Sequence, residues 1–226
     1  MPWSTILYFV SICLLIISII LSISVKSTFK RLSKKKNARE ITGVDAAEQI
    51  LRTNGVYDVY TNPTSGTLSD FYDPRSKSVN LSEGVYDGAS IAAVAVAAHE
   101  CGHAIQHNEG YTPIVIRNYI LPVAQLGTHA GIILFIVGMI FAHIDWLMDV
   151  GIALFAFAVL FHLLTLPIEI DASRRGLKAL TQSNILYEEE MPQAKKMLRV
   201  AAYTYVAAAA SAAIQLLRLI AIRNRR

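Results

Sequence analysis

Ala97-Ala98-His99-Glu100-Cys101-Gly102-His103-Ala104-Ile105-Gln106-His107 is the stretch on which the reading of the chain turns. It sets His-Glu-x-x-His behind a run of small apolar residues, Ile91 to Ala98, which predicts a helix packed on several sides. At 3.6 residues per turn, His99 and His103 stand one above the other on a single face. Two neutral imidazoles so placed can take two corners of a zinc tetrahedron, with Glu100 beside the metal as base for a bound water. Cys101 lies two residues from His99 and points off that face. His107 is about 80° round from His99 but roughly 12 Å further along the axis, too far to share one ion in an unbroken helix. It is read instead as a candidate to support the site or meet substrate.

The surroundings of this helix are those of a membrane protein. The 226 residues are 54% apolar and only 17% charged, with a mean hydropathy of +0.42, which is too apolar for an ordinary soluble domain. The net charge of +4 comes from short basic clusters beside apolar runs, a pattern of topology and anionic headgroups rather than of nucleic-acid binding. Two cysteines, Cys13 and Cys101, make no disulfide framework.

Residues 3–25 form a nearly uncharged run long enough to cross a bilayer. Lys26, Lys30, Arg31, Lys34, Lys35, Lys36 and Arg39 follow it, which predicts an uncleaved signal anchor with its C-terminal flank in the cytoplasm. Residues 26–118 then read as a cytoplasmic catalytic segment. Within it, Thr42 or Asp45 caps a short amphipathic helix that ends at Asn54-Gly55. Val56 to Tyr60 alternates as a strand, and Asn62-Pro63-Thr64-Ser65-Gly66 reads as a turn. Leu68 to Arg75 and Ser78 to Ser82 predict two more strands, one of them a possible edge for an extended substrate. Asp87 or Ser90 opens the motif helix, which Gly110 and Pro113 end. Residues 119–166 predict a transmembrane hairpin connected through His143-Ile144-Asp145. Residues 167–199 predict a cytoplasmic helix rich in Arg and Lys, and 200–222 a fourth span or an interfacial helix. His129, His143 and His162 lie in or near the apolar runs without a motif of their own.

A catalytic zinc needs a third protein ligand. The segment Pro167-Ile168-Glu169-Ile170-Asp171-Ala172-Ser173-Arg174-Arg175 is the place to look, because it follows the predicted return of the hairpin. Glu169 and Asp171 compete, and on a helix they point about 200° apart, so one of the two faces the metal.

Leu68-Ser69-Asp70-Phe71-Tyr72-Asp73-Pro74-Arg75, Val79-Asn80-Leu81-Ser82 and Val96 to His107 resemble the signature blocks of the YugP-like neutral zinc metallopeptidases of bacterial membranes. The likeness covers nearly the whole chain. The layout is more distantly similar to the HtpX-type and CAAX prenyl membrane proteases, in which a Glu-x-x-Ala-Asp motif after a membrane hairpin completes the zinc site. Glu169-Ile170-Asp171-Ala172-Ser173 matches that motif at its glutamate and alanine, so the resemblance implies Glu169 as third ligand. It departs at Ser173, which leaves the role of orienting a histidine to Ser173, to Asp171 or to neither.

The expectation is therefore a mainly α membrane protein with a small α+β zinc-metalloprotease domain built on the HExxH helix. One zinc ion would be held by His99, His103 and Glu169. Glu100 would be the catalytic base acting on a zinc-bound water, as in gluzincin-like endopeptidases. His107, Asp171, Ser173 and Arg174 are candidates for supporting or substrate-facing roles. The implied substrates are membrane or membrane-proximal proteins, the implied location a bacterial plasma membrane with the site on the cytoplasmic side, and no nucleic acid is involved. The competing readings are a metal-binding membrane scaffold, or a quality-control factor, without turnover, and an intramembrane haem protein. Glu100 beside the histidine pair weighs against the scaffold, which needs no base there, and against the haem protein, because His99 and His103 would sit too close to a charged carboxylate for a membrane haem helix.

Overall fold

A computed structural model describes residues 3–141 and 144–225, the side chains of Trp3 and Ser4 excepted. The expected connection at His143 therefore lies outside the described residues. The chain is mainly helical. In order it runs α1 (Trp3–Leu32), α2 (Gly43–Thr53), β1 (Tyr60–Thr64), β2 (Phe71–Asp73), β3 (Ser78–Ser82), α3 (Glu83–Tyr86), α4 (Ile91–Asn108), α5 (Thr112–Ile140), α6 (Trp146–Gln182) and α7 (Met191–Arg223). Four of these helices, α1, α5, α6 and α7, are long and apolar enough to cross a membrane. The contacts divide the chain into two compact units, one comprising 1–20, 113–167 and 204–226, the other 21–112 and 168–203.

In the first unit, α5 and α6 approach through glycines. A Cβ on Gly127 would lie 2.5 Å from the Leu154 carbonyl oxygen, and one on Gly131 2.9 Å from that of Gly151. Small residues of this kind let membrane helices meet backbone to backbone, where the lipid provides no hydrophobic drive for association. Phe135, Met148, Phe155, Val159 and Leu219 fill the space beyond. On α1, Leu15 and Ile20 stay more than half exposed, an arrangement suited to acyl chains rather than water.

The second unit carries the sheet and the motif helix. Thr42 closes a capping box on α2, its side chain accepting from the Asp45 backbone N–H while Asp45 reaches back to the Thr42 backbone. Ser90 caps α4, its hydroxyl accepting from the Ala93 N–H at 3.1 Å. Asn37 pins the start of α4: its side-chain amide donates to the Ile41 and Ala89 carbonyls at 2.7 and 3.0 Å. The strand order is β1-β3-β2, with β3 central, parallel to β1 and antiparallel to β2.

Three local features differ from the sequence reading. β1 starts at Tyr60 and takes in Asn62-Pro63-Thr64 of the segment read as a turn, which leaves Ser65-Gly66 to bend the chain. The residues of β1 gain their extended form by pairing in parallel with β3, a non-local contact, and Pro63 is tolerated because β1 is an edge strand. Pro113 starts rather than stops a helix, since the missing N–H of a proline costs nothing in a first turn. Pro167 sits inside an unbroken α6 instead of opening a new helix.

The segment of α4 that bears the motif lies against the 168–182 portion of α6. Gly102 faces the Ala172 backbone, where any Cβ would overlap the carbonyl, and Gly176 faces Ala98, with a Cβ only 2.5 Å from its oxygen. Each helix thus presents a glycine to the other's main chain. Gly102→Ala is expected to lower stability by about 1–3 kcal/mol through overpacking. Gly84→Ala, where a Cβ meets nothing within 4 Å, serves as the near-neutral comparison, both read by thermal unfolding in detergent.

Candidate metal centre

The two-glycine contact brings one residue of α6 to the histidine face of α4. Glu169 Oε2 lies 3.2 Å from His99 Nε2 and 3.4 Å from His103 Nε2. The histidine rings meet edge to face with centroids 4.8 Å apart. One ligand atom from each of the three residues falls within 4.8 Å of the others. Glu169 is only 3% exposed and His103 7%.

The outer nitrogens of both rings are engaged. His99 Nδ1 lies 3.0 Å from Ser173 Oγ, one turn beyond Glu169 on the same helix. His103 Nδ1 lies 3.1 Å from Gln106 Oε1. The fully buried Gln106 spends both of its N–H groups elsewhere, donating to the Ile168 carbonyl and to Asp171 Oδ2, each at 2.9 Å. Its oxygen is left to accept, so His103 carries a proton on Nδ1 and turns Nε2 toward Glu169. Asp171 is held in turn by Arg174 at 3.0 Å and by Arg175, which also pairs with Glu109. This relay joins α4 to α6 a second time, below the glycine contact.

The family model described as "Putative neutral zinc metallopeptidase" matches residues 7–224. The chain belongs to that family. A relative from Bacillus subtilis (strain 168), "Putative membrane protease YugP", is 42% identical over 214 residues, covering 95% of this chain and 95% of its own length. No solved structure matches the chain.

The cofactor of this metallopeptidase family is zinc, and the residues present fit it. Two imidazole Nε2 atoms lie 3.2 and 3.4 Å from one carboxylate oxygen, a donor set of the type that zinc takes. The Nδ1 contacts are those that fix a ligating tautomer. A carboxylate buried between two imidazoles is a setting that suits a divalent cation.

Glu100 lies one residue from His99 on the buried side of α4, 8% exposed. Burial is the main force that pushes its carboxyl up, to about 7; the His99 ring opposes the shift, and Glu169 and Asp70 reinforce it. A group poised there can take a proton and return it at neutral pH. Asp70, which accepts from both the N–H and the hydroxyl of Ser82 at 2.7 and 3.0 Å, anchors the loop before β2.

The remaining candidates take other positions. The ring of His107 is 3.0 Å from the Tyr72 hydroxyl through Nδ1 and lines a separate cavity of about 210 Å³ with Asp58 and Lys77. Cys101 is fully buried with its sulfur 3.6 Å from the Ala47 carbonyl, away from the cluster. His129 turns to its own helix at the Gln125 carbonyl, and His162 packs edge-on to Phe161. Arg174 is exposed and, among the described residues, pairs with Asp171 alone.

Gln106 is not among the residues that the motif singles out. Its signal lies in the spacing, three residues after His103 and so on the same side of the helix. Gly176 carries a similar signal, seven residues after Glu169 on one stripe with Ser173.

Removing the Gln106 amide frees the His103 ring to turn and to change tautomer. Gln106→Ala is expected to weaken zinc binding by about 10- to 100-fold, measured by competition with a chelator of known affinity. Ser173→Ala is expected to act in the same direction through His99.

Proposed function

We propose that the protein is a membrane-embedded zinc endopeptidase, with His99, His103 and Glu169 holding the ion and Glu100 serving as general base and then general acid. The observation that carries this reading is the convergence of the two Nε2 atoms and the buried Glu169 carboxylate beside Glu100. Zinc, when bound, acidifies a water molecule and polarises the scissile carbonyl. Glu100 accepts the proton as the water attacks and hands it to the departing amine, which leaves as a neutral group. Ser173 and Gln106 hold the two imidazoles against rotation throughout. Asp171, through Gln106 and Arg175, acts as a positioning residue rather than a ligand.

Substrate is read as an extended peptide. β2 is an edge strand, with β3 on one side only, and Tyr72 of that strand lies close enough to influence Glu100. A peptide added antiparallel to such an edge gains main-chain hydrogen bonds that do not depend on its sequence. This suits cleavage of membrane or membrane-proximal proteins in non-native, extended form. The seven basic residues between Lys26 and Arg39 support a cytoplasmic position for the catalytic segment by the positive-inside rule.

Glu100→Gln is expected to reduce cleavage of casein or an unfolded membrane protein by about 10²- to 10⁴-fold while stoichiometric zinc remains bound. Persistent cleavage would remove the assigned mechanism. Glu169→Ala is expected to lose zinc, measured by metal analysis of the purified protein; retention there, with loss in Asp171→Ala, would exchange the two roles. A chelator should abolish turnover, and added zinc should restore it. Stoichiometric zinc without hydrolysis of any denatured substrate would favour the scaffold reading instead.

A further inference from the structure

A groove of about 810 Å³ runs between the 170–181 portion of α6 and residues 188–202 at the start of α7. Its floor is apolar, with Ile170, Leu177, Met191 and Leu198 contributing. Its rim is basic: Arg174 and Lys178 stand on the α6 side, Lys195 and Arg199 on the α7 side. Glu188 is the one acidic residue lining it, in the loop at the end remote from the apolar runs. All four basic side chains are on exposed residues. Arg174 pairs with Asp171; among the described residues, no ion pair engages Lys178, Lys195 or Arg199.

Such a surface selects a ligand with an apolar body and an anionic head. Its place along the helices says where that ligand comes from. The apolar run of α7 begins at Val200, directly after Arg199, and Ile170 follows the apolar run of α6 by a few residues. Arg199 adjoins the apolar run of α7, and Lys195, Arg174 and Lys178 stand one to three turns further out on the same flank, where each basic residue near an anionic surface adds favourable energy. None of His99, Glu100, His103 and Glu169 lines the groove. Ser173, which lines its inner wall, meets His99 at Nδ1 and not at the Nε2 that faces Glu169.

We propose that this groove binds an anionic phospholipid of the surrounding leaflet, its phosphate between Lys178, Lys195 and Arg199 and an acyl chain along Leu177 and Leu198. The bound lipid then lies against Ser173, the residue that steadies His99, and links the composition of the bilayer to the metal centre.

The test uses the full chain in nanodiscs of phosphatidylcholine containing a trace of phosphatidylglycerol with a photoreactive acyl chain. Crosslinks are expected within 170–202. Unlabelled phosphatidylglycerol is expected to chase them, and added phosphatidylcholine is not. Lys178→Gln combined with Arg199→Gln is expected to reduce labelling by about tenfold or more, while Lys178→Arg combined with Lys195→Arg retains it. Equal chase by the two lipids, or unchanged labelling in the charge-neutralised variant, overturns the proposal. Displacement of the label by a peptide substrate also overturns it, and would make the groove a protein-docking site. The chase is run on the unaltered protein, so its outcome does not depend on any variant folding.

Discussion

The site depends on how closely two backbones can approach. Glu169 has a short reach, and it meets both imidazoles only because Gly102 and Gly176 remove the side chains that would hold α4 and α6 apart. An ordinary helix pair packs with axes 8–10 Å apart, set by the side chains between them. Here each helix rests on the main chain of the other, at Ala172 and at Ala98. The same contact places Ser173 under His99, and the Gln106–Asp171 link repeats the join a turn away. Metal chemistry, histidine orientation and helix packing are therefore one arrangement.

This arrangement also accounts for the burial of charge. A carboxylate, two imidazoles, a glutamate and an amide are enclosed where few waters can reach, and enclosure of unpaired polar groups is costly. The cost is offset group by group. Both N–H groups and the oxygen of the Gln106 amide have partners, as do the Nδ1 atoms, and the inner-facing Nε2 and carboxylate atoms suit a cation. Glu100 is left as the polar group whose proton can move.

Much of this is legible in the residues and some is not. His99, Glu100 and His103 follow from a four-residue period, and the four long apolar helices follow from composition. The capping of α2 by Thr42 and of α4 by Ser90 is among the options that local chemistry leaves open. Residue type does not decide between Glu169 and Asp171, because both are carboxylates on one helix and only the phase of α6 against α4 separates them. The place of β1 is hidden because its extended form comes from β3, almost twenty residues later, and not from its own turn-forming residues. Pro167 has the local chemistry of a boundary, yet α6 continues through it. Gln106 has no chemistry of its own to announce it; its role arises only once Ile168 and Asp171 are opposite.

The unbroken course of α6 has a consequence for the order of synthesis. His99 and Glu169 are 70 residues apart, and α5 together with the part of α6 up to Glu169 must be made in between. At about 5–20 residues per second, a ribosome takes roughly 4–14 seconds to travel from His99 to Glu169. For nearly all of that interval the nascent chain carries two histidines and a glutamate without the third side chain proposed to hold the ion. The proposed ligand set is therefore incomplete until α6 has been made through Glu169.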